Sequence, residues 1–384
     1  DIFLDDEGIL HIEINEGYLG KVLFEGLGKT KDRVVRRELL LVEGQVFNAN
    51  DIQQAMQRIY NLGYFTENLG TRLEIADPEG NRANVIVELE ELDSGEFLFG
   101  GGYNTKDGWM GSLELGDNNL FGYGQSAAVK WEFGRNQTYE LNFNEPYLFG
   151  HKYSLGLNLY RHVTNDKETE KEEDDEEEET DFYFKEVNQG FNLTFGVPIT
   201  NTVRLSTRLR LDKTKKNWQE DNPPSDREDF AGRTRSITLT GIRDTTVDIF
   251  NPRTGARDSA SVEFAGYLLG GDYDFTKCNL EFRRYYPGFT DKQSWALRLK
   301  GGVGLSKEGL PSHELYRLGG DTLRGYGYGA FKGDAMVLFN AEYRFQIYSI
   351  FDGAVFFDLG NAWDKSESMQ LKDLKPSLGA GLRM

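Results

Sequence analysis

The chain has 384 residues and a net charge of −19, and 13% of its residues are aromatic. This length predicts two or three domains rather than one small core, and the negative charge argues against a nucleic-acid partner, whose phosphates it would repel. The single cysteine, Cys278, excludes an internal disulfide and a thiol cluster that holds a metal.

Hydropathy excludes one kind of membrane segment and leaves another open. The mean hydropathy is −0.57, and no apolar run approaches the length of about eighteen residues that a transmembrane helix needs. Transmembrane β-strands alternate and average out as polar, so strands of that kind remain compatible with this composition. The chain starts at Asp1 without a basic, apolar signal peptide, which predicts a processed or trimmed N-terminus.

The first seventeen residues contain a short strand-like run. The sequence LHIEINEG at 10–17 resembles VELEELDSG at 87–95 in its alternation of apolar and polar residues before a glycine. If the second run closes a structural unit, the first closes a preceding one whose beginning is missing. We therefore predict that 1–17 carries the last strand of a preceding unit and that the chain is cut from a tandem array.

Residues 18–93 predict a small α+β unit of order β-α-α-β-β. Its second helix places Ile52, Met56 and Ile59 on one apolar face. The predicted elements are a strand over 19–25, a helix over 31–41, a helix that begins at the N-cap Asn50 and ends at Gly63, and strands over 72–76 and 84–91.

From Gly95 onward, apolar and polar residues alternate at period two. The runs are about 9–11 residues long, the length with which a tilted strand crosses a bilayer. In 203–211 the apolar residues share one face and Arg204, Arg208 and Arg210 share the other, so this strand cannot lie in a sandwich core. Fourteen runs show the pattern: 95–103, 109–117, 123–133, 136–144, 151–161, 182–195, 202–212, 233–243, 256–268, 273–284, 292–304, 335–347, 351–360 and 374–384.

The connectors between these runs differ in length. Compact turns such as NEPYLFG at 144–150 follow even-numbered runs. Transmembrane barrels show short turns on one side and longer loops on the other. The longest connectors, 162–181, 213–232, 305–334 and 361–373, all follow odd-numbered runs.

One connector is strongly acidic. The segment 165–181 contains 12 acidic residues and 2 lysines. Consecutive carboxylates lack the spaced Asp, Asn and Gly pattern of a calcium loop. The composition therefore favours a self-repelling insert on an exposed loop outside the membrane over a calcium site.

The sequence contains no recognisable enzyme or metal motif. None of the four residues His11, His151, His162 and His313 has a second histidine or a cysteine at i+3 or i+4. No nucleophile elbow and no phosphate-binding loop is present. We therefore expect no enzymatic activity, no catalytic residue, no metal and no cofactor.

Gly100, Gly101 and Gly102 lie inside the first alternating run. A glycine triplet usually marks a flexible turn, but within a strand it removes side chains that would pack against neighbouring strands. Two interpretations follow, a simple turn signal and a soft first strand that forms a weak seam.

Arg324 lies in GGDTLRGYGYG at 319–329, within the longest connector, 305–334. Taken singly, it would be a surface-loop arginine. However, strand parity makes both Glu342 and Asp358 point away from lipid on the two runs that follow. A connector of this length can fold back and hold a guanidinium between these carboxylates by charge-assisted hydrogen bonds.

The chain resembles the POTRA-plus-barrel outer-membrane assembly proteins, a family that includes BamA, TamA, the mitochondrial sorting-and-assembly barrel and the two-partner secretion transporters. The matching motifs cover nearly the whole chain. They are FEG at 24–26, VVRREL at 34–39, GQVFN at 44–48, RIYNLGYF at 58–65, NNLFGYG at 118–124, NEPYLFG at 144–150, LRGYGYG at 323–329 and FFDLGN at 356–361.

The resemblance implies α+β POTRA domains followed by an antiparallel transmembrane β-barrel. It assigns 1–17 to the last strand of a preceding POTRA domain, 18–93 to a POTRA domain and 94–384 to the barrel. The family expectation is about sixteen strands, an even number as in other outer-membrane barrels. Because only about fourteen runs are present, we expect the barrel to be C-terminally incomplete.

The resemblance also implies roles for individual residues. Arg324, Gly325 and Tyr326 are expected at the tip of an inward-folded loop, with Asp358 and Glu342 as its anchor in the barrel lumen.

Two functions are compatible with these features. The first is a non-enzymatic assembly factor in the outer membrane of a diderm bacterium, whose periplasmic POTRA strands add to unfolded β-barrel clients by edge pairing while the barrel seam acts as a template. The alternative is two-partner or autotransporter-type secretion of an exoprotein through the barrel. The expected partners are client barrels and the lipid bilayer, with periplasmic chaperones and accessory assembly subunits as further candidates.

Overall fold

The computed structural model describes most of the chain and divides it into two compact units. The first unit comprises Asp1–Glu96 and Asp117–Ser126, and the second comprises Phe97–Gly116 and Ala127–Met384. Among the described residues, neither helix is long and apolar enough to cross a membrane. The described residues are 2–4, 10–12, 16–77, 81–104, 108–171, 179–218, 229–307, 309–348, 351–364 and 369–383.

The first unit contains a three-stranded sheet with two helices. The sheet order is β3-β5-β4, in which β3 and β5 are parallel and β4 and β5 are antiparallel. The predicted order β-α-α-β-β is therefore confirmed. The elements are β1 (Ile2–Leu4), β2 (Leu10–Ile12), β3 (Tyr18–Glu25), α1 (Asp32–Arg36), α2 (Ala49–Tyr60), β4 (Gly70–Asp77) and β5 (Arg82–Glu88).

The helices of this unit pack on one face of its sheet. Val34 and Val35 of α1 and Ile59 of α2 are fully buried against Val85 and Val87 of β5. Burial of such side chains contributes about 1.5–3 kcal/mol each relative to exposure. The core therefore lies between the apolar positions of α2, which recur every 3.6 residues, and those of β5, which recur every two residues.

The boundaries of the predicted helices need correction. The first helix ends at Arg36 rather than at residue 41, and Leu40 has a left-handed φ of 52° that a continuing helix cannot accommodate. The N-cap of α2 is Asn48 rather than Asn50, because the Asn48 side chain accepts a hydrogen bond from the backbone N–H of Asn50 at 3.0 Å. In 1–17, β1 and β2 pair as an antiparallel hairpin, and their assignment to a preceding domain stays a prediction.

The motif NNLFGYG belongs to the first unit. Its Asn119 side chain is fully buried. The Asn119 amide donates to the Thr30 hydroxyl at 2.7 Å, and its carbonyl oxygen accepts from the Gly124 backbone N–H at 2.8 Å. Both ends of the side chain are therefore satisfied, as a buried amide requires.

Glu91 completes this polar network. Its carboxylate accepts hydrogen bonds from the backbone N–H groups of Gly28, Lys29 and Thr30 and from the Thr30 hydroxyl. Burial acts to raise the pKa of Glu91, but these hydrogen bonds outweigh it and hold the pKa below its usual value. The network thus stabilises the unit above the carboxyl's ordinary pKa and loses that contribution as the pH falls through the lowered value.

In the part of the chain that the structure describes, the second unit is built on a single antiparallel sheet of fourteen strands, which confirms the predicted number of runs. The sheet order is β21-β20-β19-β16-β15-β14-β13-β12-β11-β10-β9-β8-β7-β6. Its strands are β6 (Gly95–Asn104), β7 (Gly108–Leu120), β8 (Gln125–Phe133), β9 (Gln137–Glu145), β10 (Ser154–Lys171), β11 (Glu179–Pro198), β12 (Val203–Trp218), β13 (Phe230–Asp244), β14 (Gly255–Ala265), β15 (Phe275–Pro287), β16 (Gln293–Leu305), β19 (Ala335–Tyr348), β20 (Phe351–Trp363) and β21 (Lys375–Arg383).

The strands β10 to β13 extend beyond the predicted runs. β10 and β11 pair as far as Lys171 and Glu179. The expectation that the whole acidic segment 165–181 is a loop insert is therefore wrong for its two ends, because backbone pairing continues through them. The remainder, 172–178, lies outside the described residues.

The connector between β16 and β19 crosses one face of the sheet. We call its residues 309–334 the long loop, which contains a short hairpin of β17 (Tyr316–Leu318) and β18 (Phe331–Gly333). We call the sheet face that the long loop contacts the covered face and the other the open face. Leu310, Leu318 and Leu323 of the long loop pack in a buried cluster with apolar residues of the covered face, among them Ala265, Phe275, Met336, Leu338 and Ala362.

The two faces differ in composition as the alternation predicts. Buried residues of the covered face include polar groups such as Ser236 and Glu263. The open face instead exposes large apolar side chains, including Leu205, Leu211, Leu239, Phe264 and Leu280. A sheet with apolar residues exposed on its outer side suits a hydrocarbon environment.

We expect Asn119→Ala to open the first unit locally. The substitution leaves the Gly124 N–H without its acceptor and removes the Thr30 partner, and an unsatisfied buried group costs about 1–3 kcal/mol. Hydrogen exchange at 117–126 should accelerate. Asn118→Ala is the matched control because Asn118 is exposed, and equal exchange in both variants would show that the Asn119 network is not stabilising.

Candidate functional site

Arg324 is held by a fork of hydrogen bonds to Asp358 of β20. Its Nε donates to Oδ2 of Asp358 at 2.7 Å, and its Nη2 donates to Oδ1 at 2.7 Å. The backbone N–H of Arg324 donates to the same carboxylate at 3.2 Å. This planar, bidentate geometry is the strongest form of an arginine–carboxylate contact.

Two further groups surround the guanidinium. Its Nη1 donates to Oε2 of Glu342 on β19 at 3.1 Å, and its Cζ lies 3.5 Å from the ring centroid of Phe356. Asn340 donates to Asp358 at 2.8 Å and to the Thr322 carbonyl at 3.1 Å. Arg324 is therefore fixed by two carboxylates and an aromatic face at once.

The sheet explains why these side chains meet. Glu342 and Phe356 face each other in the β19–β20 register, as do Asn340 and Asp358. Directly opposite residues of an antiparallel pair point to the same face. All four side chains therefore lie on the covered face, where the tip of the long loop reaches them.

Gly325 and Tyr326 lie next to β21. The Tyr326 hydroxyl donates to the Pro376 carbonyl at 2.9 Å, and a Cβ on Gly325 would come within 3.2 Å of the Ser377 hydroxyl oxygen. Gly325 also has φ +89°, a conformation that favours glycine. The structure thus brings together Arg324, Asp358 and Glu342, and it places Gly325 and Tyr326 beside the next strand.

Burial determines the strength of the contact. The Asp358 side chain is fully buried and that of Glu342 is 9% exposed, whereas Arg324 is 27% exposed. Two buried carboxylates without a cation would carry a large desolvation cost. The pairing therefore stabilises the docked loop far more than an exposed ion pair would.

A second cluster holds the start of the long loop and was not predicted. Nη2 of Arg210, on β12, donates to Oε1 of Glu314 at 2.7 Å and lies 3.2 Å from the Glu263 carboxylate of β14. Lys277 of β15 donates to the Glu314 carbonyl at 2.8 Å and lies 3.2 Å from its carboxylate. Asp212 lies 3.5 Å from Nε of Arg210.

Part of this cluster had a signal in the sequence. Arg210 shares the polar face of its alternating run, so a charge there required a partner. The identity of that partner was not readable, because Glu314 is 104 residues away and joins the cluster only through the fold of the long loop.

Glycines in β16 make room for that loop, since a Cβ on Gly302 would come within 2.6 Å of the Tyr316 ring.

The glycine triplet lies in β6, at one edge of the fourteen-stranded sheet in the described part of the chain. A Cβ would meet nothing within 4 Å at Gly102 and only the Met110 carbonyl oxygen at 3.7 Å at Gly101. Space alone does not require glycine at these two positions. The soft-strand interpretation therefore depends on the lost side-chain pairing and stays a prediction.

The site is suited to holding a conformation. Its carboxylates are engaged by Arg324 and Asn340, and Arg344 donates to Glu342 at 2.8 Å. Among the described residues, no group of three or more His, Cys, Asp and Glu side chains could hold a metal ion. The geometry therefore supports an anchor for the long loop.

Comparison with known proteins agrees with this architecture. A family model described as the Omp85 superfamily domain matches residues 119–384. The chain belongs to the Omp85 superfamily. A POTRA model, described as a surface antigen variable number repeat, matches residues 9–92.

A curated relative matches both units. The outer membrane protein assembly factor BamA of Nitratidesulfovibrio vulgaris is 27% identical over 389 residues, covering 95% of this chain and 46% of the relative. The chain thus spans about half the length of the curated relatives it matches.

Solved structures show the same fold. BamA from Haemophilus ducreyi lacking POTRA domains 1–3 has a TM-score of 0.62 and 18% identity, covering all of this chain and 82% of that one. CdiB from Escherichia coli also has a TM-score of 0.62, with 16% identity and coverage of 99% and 73%. This Omp85 protein lies in the outer membrane with its POTRA unit in the periplasm. The open face, with its exposed apolar side chains, is suited to contact with lipid.

We expect Arg324→Ala to release the tip of the long loop. Removing one partner of a buried ion pair costs about 3 kcal/mol or more, which is roughly a 100-fold rise in the open population. Arg324→Lys should rescue little, because an ammonium cannot reproduce the fork. Hydrogen exchange at 319–329 measures the effect.

The matched control is Arg317→Ala. Arg317 lies in the same loop, is exposed, and donates to the Ser312 carbonyl at 3.2 Å. It should leave exchange at 319–329 unchanged. Equal acceleration in the two alanine variants would show that Arg324 is not an anchor.

The Arg210 cluster should act independently of the Arg324 anchor. Glu314→Gln weakens charge-assisted bonds that are worth about 1.5–3 kcal/mol, so exchange should accelerate at 310–318 and much less at 319–329. Asp321→Asn, at an exposed acid of the same loop, is the control. Uniform acceleration over 310–329 after Glu314→Gln would mean that the loop opens as one piece.

Proposed function

We propose that the chain is part of an outer-membrane protein assembly factor that inserts and folds β-barrel clients. The observation that carries this proposal is the alignment with the Nitratidesulfovibrio vulgaris BamA assembly factor along 95% of the chain, through both the POTRA unit and the sheet. No catalytic step is proposed. The free energy for insertion would come from folding of the client.

The POTRA unit would receive clients at β4. This strand is at the edge of its sheet, and Leu73 and Ile75 are 57% and 74% exposed. An exposed edge strand offers unpaired backbone donors and acceptors to an incoming strand. Its apolar side chains would add contacts with alternate residues of the client.

The first strand of the large sheet would act as the template. β6 is an edge strand among the described residues, and its glycine triplet removes cross-strand side-chain contacts. A strand that pairs weakly can exchange its partner for a client strand at low cost. This places the proposed seam at Gly100, Gly101 and Gly102.

The Arg324 anchor would stabilise the opposite edge. Asp358 and Glu342 lie on β20 and β19, and the Tyr326 hydroxyl donates to the Pro376 carbonyl of β21. The long loop thus ties together the last three strands. We infer that this keeps one edge rigid while β6 opens.

The alternative is secretion of an exoprotein through the barrel, with the long loop as a plug. The fold does not separate the two functions, because the TM-scores to BamA from Haemophilus ducreyi and CdiB from Escherichia coli are both 0.62. Sequence similarity favours assembly. Periplasmic chaperones and accessory assembly subunits are proposed as further partners.

Depletion of the full-length protein should test the assembly function. We expect the amount of folded client barrels, detected by heat-modifiable gel mobility, to fall by roughly tenfold, because barrels fold stably only when every strand edge is paired. The amount of inner-membrane proteins should stay constant. Normal client barrels together with loss of one secreted protein would instead support secretion.

Proline substitutions at Leu73 and Glu74 test the docking strand. Successive residues of a strand direct their N–H groups to opposite sides, so one proline disrupts pairing with β5 and the other disrupts only the open edge. The variant with the disrupted open edge should fold. In cells depleted of the wild-type protein, it should restore client barrels to about half of the wild-type level or less, because strand addition needs main-chain donors. Full restoration by both variants would exclude β4 as the docking strand.

A further inference from the structure

The open face of β10 to β13 carries three cations at one level and a fourth cation at the next level. In the sheet register, Arg161 of β10 lies opposite Gln189 of β11, Gln189 opposite Lys213 of β12, and Lys213 opposite Arg233 of β13. Arg235 is two residues further along β13, opposite Leu211. All four of these cationic residues are exposed. We call Arg161, Lys213, Arg233 and Arg235 the basic row.

An apolar surface lies directly below the basic row. The next level of the same register pairs Leu141, Leu159, Phe191 and Leu211 across β9 to β12. The level below contains Phe143, Leu157, Leu193, Leu209 and Ile237. This is the pattern expected where the hydrocarbon region ends and head groups begin.

The spacing supports that placement. From Val203 to Lys213 the strand β12 advances ten residues, about 33 Å at 3.3 Å per residue. A tilt of about 40° reduces this to about 25 Å, the height of the apolar band of outer-membrane barrels. The basic row is at the end of the strands where the long connectors lie, because β12 runs on from Lys213 to its last residue, Trp218. In an outer membrane with periplasmic POTRA domains, that end faces outward.

Two shallow, open grooves lie under the basic row. A groove of about 580 Å³ is lined by Trp131, Tyr139, Leu159, Arg161 and Phe191, among others. A neighbouring groove of about 520 Å³ is lined by Leu209, Leu211, Lys213, Arg233, Arg235 and Leu269, among others. The two grooves share Gln189 and Leu211. Each therefore combines an apolar floor with a cationic rim.

The arrangement of charges favours an anionic ligand. Lys213 and Arg233 are directly opposite each other, and like charges in that position destabilise strand pairing. The spacing of neighbouring strands places the Cβ atoms of Arg235 and Lys213 within about 7 Å of each other. Arg233 is 3.3 Å from Asp272, which offsets one charge and leaves the row positive. An anion bridging the row would remove the repulsion.

The connector after β14 borders the second groove with apolar residues. Tyr267 and Leu268 are exposed, Leu268 completely. Arg235 donates to the Leu269 carbonyl at 3.4 Å. The connector thus presents apolar side chains beside the cations, as a segment at a membrane interface does.

We propose that the basic row binds the phosphate groups of an anionic outer-leaflet lipid whose acyl chains lie in the two grooves. Lysine and arginine at a membrane boundary are attracted to phosphorylated head groups, and their aliphatic parts can lie along the apolar floor. The occupant is a membrane lipid rather than a free ion, because the cations and the grooves form one continuous surface. The site is on the open face and is separate from the Arg324 anchor.

The test measures lipid binding by native mass spectrometry of the folded full-length protein in detergent. The probes are bisphosphorylated lipid A and its dephosphorylated form, titrated in parallel. We expect lipid A to bind at least about tenfold more tightly, because each cation near phosphate contributes on the order of a fewfold to tenfold in affinity. Equal binding of the two lipids would overturn the proposal.

The variant Lys213→Gln/Arg233→Gln/Arg235→Gln should lose this preference by about tenfold or more. The charge-matched control is Lys21→Gln/Lys31→Gln/Arg82→Gln, at exposed positions of the first unit, and it should bind lipid A as the wild type does. An unchanged preference in the first variant would overturn the assignment. Heat-modifiable mobility establishes that each variant is folded, and Arg235→Gln alone serves if the triple variant is not.

Inorganic phosphate at millimolar concentration distinguishes a lipid from a free anion. Phosphate should displace little lipid A, because it cannot occupy the grooves. Complete displacement would show that the basic row is only an anion site. That outcome would contradict the lipid assignment while leaving the proposed assembly function unaffected.

Discussion

The contact of Arg324 with Asp358 and Glu342 is the constraint on which the second unit depends. Asp358 is fully buried on the covered face, where a carboxylate without a cation is costly. Among the described residues, the long loop supplies that cation through Arg324, whose planar fork matches the carboxylate. The loop is thereby placed over β19 to β21, and Tyr326 reaches the backbone of β21. The rest of the loop follows, with Leu318 and Leu323 buried against the sheet.

A second constraint acts at the start of the loop. Glu314 draws together Arg210 of β12 and Lys277 of β15, strands that are separated by β13 and β14 in the sheet. The two anchors therefore connect distant strands through one connector. This arrangement leaves β6 outside both clusters, which agrees with the proposal that the sheet is rigid toward β21 and yielding toward β6. The basic row lies on the other face and concerns the surrounding lipid rather than the loop.

Most of the large sheet was predictable because alternation at period two is a local signal. Each of the fourteen runs has its counterpart strand, and the difference between the covered and open faces follows from parity. Errors arose where pairing extends beyond the alternating segment, as in β10 and β11, because backbone hydrogen bonds do not depend on side-chain pattern. The shortened α1 and the displaced N-cap of α2 have a similar cause, since turn geometry near Leu40 and Asn48 depends on the packed unit.

The sequence by itself determined the α+β unit, the fourteen strands, the face of each acid and the motif around Arg324, because these depend on local spacing and on motif resemblance. Apart from the Arg324 contacts, tertiary structure alone decided which charges meet. Glu314 finds Arg210 across 104 residues, and Lys213 comes to face Arg233 only through the register of β12 and β13. Such contacts depend on strand order, register and the path of a loop. Those are long-range properties, and no local pattern encodes them.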